Sequence, residues 1–240
     1  MYTISEIQNI VFIDIETVPL AKSFSDLDKT YQKLWEDKHQ TFRDENTTAT
    51  SSFESRAGIY AEFGKIICIS IGYLNVLKYR RNFRIKSFAS DDEKELLKQF
   101  AAILKKNFNT KKHNLCGHNI KEFDIPYICR RMLVNGLEIP KILDVGGVKP
   151  WETQYIDTLQ LWKFGDYKSY TSLKLLAHIF NIDTPKDDIE GKDVARVYWQ
   201  ENDLNRISTY CQKDVLTTAQ LLFKFNQIPL LQENEVTFLK

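Results

Sequence analysis

Apolar residues recur along the chain with two periods, and the change from one to the other sorts the sequence into strands and helices. Ile10 to Ile15 alternates in period two, and Lys65 to Leu74, rich in isoleucine, and Asn82 to Ala89 follow as second and third strands. A helical period then covers about Asp91 to Lys106. A short strand lies near His113 to Gly117, and another helix opens around Asp124 and ends near Gly136, where glycine suits the left-handed terminal conformation. An irregular stretch with Gly146, Gly147 and Pro150 leads to a short extended segment, Gln154 to Asp157. Three helical patterns follow, over Tyr170 to Phe180, Asp193 to Glu201 and Asp203 to Asn226. The order predicts a mixed α/β protein whose C-terminal half is mostly helix.

Residues 21–64 join two consecutive strands that a short turn would connect, so they form an insertion. Leu27, Tyr31, Leu34 and Trp35 fall at helical spacing behind the possible caps Ser25 and Asp26, which predicts an amphipathic helix there. Thr41 to Ser55, rich in Thr, Ser, Asn and charge, reads as mobile. Together they predict a helical and loop flap beside whatever site the first strand builds; a surface insertion without a role is the alternative.

Composition narrows the classes. With 33 Lys and Arg against 32 Asp and Glu, the formal net charge is +1, so there is no global positive field and an anionic partner must be gripped locally. The 240 residues suffice for one domain, 1–240, with one sizeable core. No period of about 20 to 50 residues repeats, which excludes solenoids and propellers. Acids interrupt the apolar run of Met1 to Leu20, so it does not read as a secretory signal, and no stretch approaches the roughly 18 apolar residues of a membrane span. Cys68, Cys116, Cys129 and Cys211 are far apart and sit in apolar segments, as reduced core residues of a cytoplasmic protein would.

The candidate chemistry begins with Val11-Phe12-Ile13-Asp14-Ile15-Glu16-Thr17. Strand alternation puts Val11, Ile13 and Ile15 on one face and Phe12, Asp14 and Glu16 on the other, so two carboxylates share a face, as a metal cradle requires. A strand fraying into solvent explains the pair equally simply. Asp124, in Gly117-His118-Asn119-Ile120-Lys121-Glu122-Phe123-Asp124-Ile125-Pro126-Tyr127, suits a helix N-cap, with Pro126 in the first turn. His118 has no second histidine or cysteine at a ligand spacing and fits an ordinary hydrogen bond. On the last helix Tyr210 and Asp214 stack four residues apart, flanking an apolar stripe of Leu204, Ile207, Cys211, Val215 and Leu222.

In combination these pieces are specific. An Asp-x-Glu on the first strand, an Asn-x-x-x-Phe-Asp-x-Pro after the fourth and a Tyr-x-x-x-Asp on the last helix resemble the three exonuclease motifs of the DEDDy 3′-5′ exonucleases, in the ribonuclease H-like superfamily. The chain is most similar to predicted stand-alone exonucleases related to the proofreading domain of family B DNA polymerases. The similarity extends through Ile59 to Ile66, Ile156-Asp157-Thr158-Leu159 and Ser172 to Leu176, and no polymerase domain accompanies it. The resemblance implies a ribonuclease H-like mixed sheet of about five strands flanked by helices. It also implies two divalent ions, Mg²⁺ or Mn²⁺, held by Asp14, Glu16, Asp124 and Asp214, with Tyr210 orienting the nucleophile. The implied partner is a nucleic acid 3′ end, with single-stranded DNA favoured and RNA possible, and with no membrane involved. A catalytically silent nucleic-acid scaffold, or an endonuclease of the same superfamily, are the alternatives.

Thr17 and Asn119 hold positions that touch the terminal nucleotide in similar enzymes, with Phe123 nearby. Tyr167, Lys168 and Tyr170 interleave aromatics with a cation, the kind of surface on which unstacked bases rest. Trp162 and Phe164 in the same stretch read as core. Lys78, Arg80, Arg81, Arg84 and Lys86 form a second basic cluster on the third strand, suited either to nucleic acid or to edge protection.

Overall fold

The protein is described from a computed structural model over residues 1–42, 46–166, 170–183 and 189–239, with the Pro150 side chain left aside. Six strands form one mixed sheet, in the order β5-β4-β1-β2-β3-β6. They are β1 (Ile10–Pro19), β2 (Gly64–Leu77), β3 (Arg80–Ala89), β4 (Asn114–Gly117), β5 (Ile156–Asp157) and β6 (Val236–Leu239). β2 runs antiparallel to both β1 and β3, while β4 and β5 continue parallel to β1, and β6 lies parallel to β3 at the far edge. The sheet thus has one strand more than the sequence predicts. Four residues, three partly buried and one exposed, carry too little alternation for β6 to stand out.

A short helix, α1 (Ile4–Ile7), precedes β1, whose two faces go to different helices. Val11, Ile13 and Ile15 pack with Leu96, Leu97 and Phe100 of α4 (Glu93–Asn107) and with Ile125 and Ile128 of α5 (Asp124–Val134). Phe12 on the opposite face packs with Val215, Ala219, Leu222 and Phe223 of α9 (Leu204–Phe225). The expected stripe of α9 is the buried one: Ile207, Cys211, Val215 and Leu222 are fully enclosed, with Leu204 at its margin. Between β5 and α9 the chain forms α6 (Thr158–Lys163), α7 (Leu173–Ile179) and a short α8 (Val194–Arg196) that widens into a π turn over Val197–Glu201. The sequence reading does not anticipate α6. Trp162 on it stacks with Phe225 and meets Phe180 edge-on, as core, but Phe164 behind it takes a left-handed conformation (φ 46) and is almost wholly exposed, against the expectation.

The insertion is more ordered than its composition suggests. Its helix α2 (Lys29–His39) is capped by Asp28, whose side chain accepts the Tyr31 N–H, rather than by Ser25 or Asp26. Within the stretch read as mobile, Ala49–Arg56 forms α3, capped by Thr48. Trp35 joins the two: its ring is fully buried against Phe53, Phe42, Tyr60 and Phe63, and its Nε1 donates to Ala49 O at 2.8 Å. Ser52 and Phe53 turn inward, so one apolar ring amid polar neighbours in sequence anchors the helix.

A buried ion pair ties this region to the core. Arg131 on α5 and Glu93 at the start of α4 meet at 2.7 Å; Glu93 also accepts the Ile66 N–H, and Arg131 donates to Ala61 O. No helix among the described residues is long and apolar enough to cross a membrane, and all four cysteines are free.

Candidate active site

Strand β4 pairs with β1 only as far as Phe12, and beyond that point the two chains separate at their carboxyl ends. A cleft of about 940 Å³ opens there, the usual place for a site in an α/β sheet. Asp14 faces it from β1, with Cα opposite Ser70, and Glu16 follows opposite Cys68. A register shift between Glu16 and Thr17 bends the strand immediately past the two acids. The alternation inferred for the first strand therefore brings both carboxylates to the α9 side, within the sheet and away from any frayed end.

Asp124 comes from the opposite layer and is not an N-cap. Phe123 holds the cap position, and Asp124 is the first residue of α5, 4 % exposed, its carboxylate accepting its own backbone N–H and that of Ile15. The gap left where β4 diverges is thus bridged by an acid. From α9, Tyr210 and Asp214 enter the same cleft, and the tyrosine hydroxyl donates to the Asp214 carboxylate. Between them Cys211 turns inward, its Sγ 3.3 Å from Asp14 Oδ2.

Burial, reinforced by crowding of like charge, governs the electrostatics. Burial, then the charges of Asp214 and Asp124, push the Asp14 carboxyl well above its ordinary range, and the Cys211 hydrogen bond only partly opposes this. Glu16 is raised well above its range by burial and by Asp14, Asp214 and Asp124. Asp124 is raised to about 7, chiefly by burial, with Asp157 and Asp214 adding to it and the two backbone donors opposing. The Tyr210 hydroxyl is held firmly protonated by burial and the neighbouring acids. Carboxylates so placed hold protons unless a cation shares the space. Hard oxygen donors brought together in this way are the donor set that Mg²⁺ or Mn²⁺ takes. Among the described residues, Asp14, Glu16 and Cys211 form the group whose ligand atoms lie within 4.8 Å of one another.

The other residues singled out in the sequence divide. Asn119 lines the cleft in a left-handed conformation (φ 66), and its buried Oδ1 has no hydrogen-bond partner among the described residues. Phe123 and Tyr170 line the cleft too, Tyr170 largely exposed. The Thr17 hydroxyl donates to Gly58 O at 2.8 Å, beyond the cleft lining. Tyr167 and Lys168 lie outside the described residues. His118 behaves as expected, bonded to Thr158 Oγ1 and Thr171 O at 2.9 and 2.8 Å. No described residue of the insertion lines the cleft, so the expected flap instead packs beyond the end of β1. In the basic cluster, Arg81 is committed to Glu235 and to the carbonyls of Pro229 and Leu230, anchoring the segment before β6.

Residues 59–234 match the family described as predicted 3′-5′ exonucleases related to the exonuclease domain of PolB. The chain belongs to that family. The matched stretch of this exonuclease-family chain contains Asn119, Asp124, Tyr210 and Asp214, and the sheet places Asp14 and Glu16, which precede it, beside them. The fold is similar to that of the family B DNA polymerase from the hyperthermophilic archaeon Pyrobaculum calidifontis. The TM-score is 0.56 at 14% identity, over 91% of this chain and 24% of the polymerase. The chain therefore corresponds to about a quarter of that enzyme. The likeness shows a shared mixed α/β fold, a sheet flanked by helices. No curated protein sequence matches the chain.

Proposed function

We propose that the chain is a metal-dependent 3′-5′ exonuclease that removes nucleoside 5′-monophosphates from the 3′ end of nucleic acid, single-stranded DNA in the first instance. The observation that carries this is the convergence of Asp14 from β1, Asp124 from α5, and Tyr210 and Asp214 from α9 on one cleft, with the buried Glu16 close beside Asp14. Asp14, Glu16, Asp124 and Asp214 would hold two divalent ions. When bound, such ions offset the carboxylate charge, lower the pKa of water and stabilise negative charge on phosphate oxygens.

The remaining work falls to this chain's own groups. Tyr210, kept protonated by burial and nearby acids, serves as a hydrogen-bonding post that orients the attacking water rather than as a base. Its contact with Asp214 fixes the hydroxyl. The buried Asn119 Oδ1 supplies an acceptor toward the terminal nucleotide, and Phe123 and Tyr170, both lining the cleft, offer aromatic surface for an unstacked base. Tyr167 and Lys168 complete the proposed substrate contacts, while Thr17, its hydroxyl donated to Gly58 O, stays outside them. Hydrolysis breaks the P–O3′ bond, the water oxygen joining phosphorus and a proton passing to the departing 3′ oxygen. The four free thiols suit a reducing cytoplasm.

A 5′-labelled single-stranded oligonucleotide with Mn²⁺ tests the reading. Stepwise shortening by wild type, none by Asp14→Ala, and none of a circular strand are expected. An intact oligonucleotide with wild type, or equal cleavage by Asp14→Ala, refutes it.

A further inference from the structure

Asp157 closes the two-residue strand β5 and is 2 % exposed, yet nothing in the proposed chemistry uses it. No cation pairs with it among the described residues; four backbone N–H groups converge on it instead. Oδ1 accepts from Leu159 N at 3.0 Å and Gln160 N at 3.3 Å, the ordinary N-cap of α6. The same oxygen accepts Asn119 N at 3.0 Å, and Oδ2 accepts Lys121 N at 3.2 Å. The second pair is not capping, because residues 119–121 form the turn after β4.

That turn leads directly into the site. Asn119 sits at φ 66, in the left-handed region that asparagine tolerates better than most residues, and the Asp157 carboxylate fixes its N–H there. From it run the hydrogen bonds Phe123 N to Asn119 O (3.0 Å) and Ile125 N to Ile120 O (3.1 Å), which set the start of α5 and hence Asp124. Thr158 adds to the brace, donating to Gly117 O at 3.3 Å and bonding His118 Nδ1. Gly117 admits no side chain, since an added Cβ would stand 2.8 Å from Ile120 Cβ. The turn is therefore packed tightly from one side and pulled by one carboxylate from the other.

We infer that Asp157 is a positioning residue for the exonuclease site: by accepting the Asn119 and Lys121 N–H groups it holds the turn that aims Asn119 Oδ1 at the substrate. The inference rests on the proposed exonuclease reading. It assigns substrate positioning to the 157–160 segment, whose carboxylate would otherwise be a helix cap only.

Asp157→Asn separates the two roles. An amide oxygen in place of Oδ1 keeps the Leu159, Gln160 and Asn119 bonds, while the amide nitrogen in place of Oδ2 confronts the Lys121 N–H with a second donor. Asp157→Asn should lower kcat/KM on a single-stranded oligonucleotide by about tenfold to a hundredfold per folded molecule. Asp92→Ala, which removes the remote cap of α4, should lose stability alone. The decisive readout is a double-mutant cycle with Asn119→Ala. If Asp157 acts through Asn119, the double variant cleaves no more slowly than Asn119→Ala by itself. Losses that multiply, or an Asp157→Asn enzyme within about twofold of wild type, overturn the inference while leaving wild-type cleavage, and so the proposed function, intact. A wild type that does not cleave overturns both.

Discussion

Asp124→Asn should make the metal-free protein more stable at alkaline pH while ending cleavage. Folding moves the Asp124 carboxyl from 3.8 to about 7, mainly by burial. A group raised on folding contributes most below its unfolded pKa, and that contribution is lost as pH climbs through the folded value, here from about pH 4 to about pH 7. The full loss is about 4 kcal/mol, of which about 2–3 kcal/mol falls between pH 5 and pH 8. Asparagine keeps an acceptor for the Ile15 N–H but never ionises, so its stability lacks this slope. Urea unfolding of both proteins in chelator at pH 5, 6, 7 and 8 checks it. The variant's advantage should grow by about 2–3 kcal/mol across the series. A difference independent of pH, or a variant less stable than wild type at pH 8, refutes the electrostatic account of the site.

Three further outcomes follow from the same geometry. Because Asp14, Glu16 and Asp124 are all raised, a divalent ion competes with protons, so the Tm increase on adding Mn²⁺ should be larger at pH 8 than at pH 5; differential scanning fluorimetry measures it, and an equal or reversed effect counts against the cradle. Arg131→Met leaves Glu93 buried without its ion partner and should cost about 3–5 kcal/mol in urea unfolding; a loss under about 1 kcal/mol would show that the pair is dispensable. Tyr170→Ala removes a largely exposed ring from the cleft and should raise KM for the oligonucleotide several-fold, leaving Tm within about a degree; an unchanged KM removes Tyr170 from the substrate path.

Much of this arrangement is legible in the sequence, for physical reasons that differ by element. The period-two pattern of β1 fixes which residues share a face, so the pairing of Asp14 with Glu16 follows from alternation alone. The 3.6-residue spacing of α9 likewise puts Tyr210 and Asp214 together beside a buried stripe. Asp124 is ambiguous in sequence, because the composition of a helix start is the same whether its acid caps the helix or reaches across to Ile15; only the early divergence of β4 decides it. Asp157 is hidden for a related reason: its bonds to residues 119 and 121 span 38 and 36 positions, and no local pattern encodes them. The helix α3 escapes notice because one buried face of Ser52 and Phe53 is too narrow to give a period, and its stability comes from Trp35. Phe164 is assigned to the core on hydrophobicity, but a left-handed turn followed by Gly165 (φ 89) swings its ring outward.

Diffraction from a crystal soaked with Mn²⁺ and a nucleoside monophosphate, recorded for the anomalous signal of manganese, tests the central claim most directly. The account predicts two peaks about 3.5 to 4 Å apart among the carboxylates of Asp14, Glu16, Asp124 and Asp214, with the nucleotide phosphate touching both. Manganese absent from the cleft, or held without contact to Asp14, would contradict it.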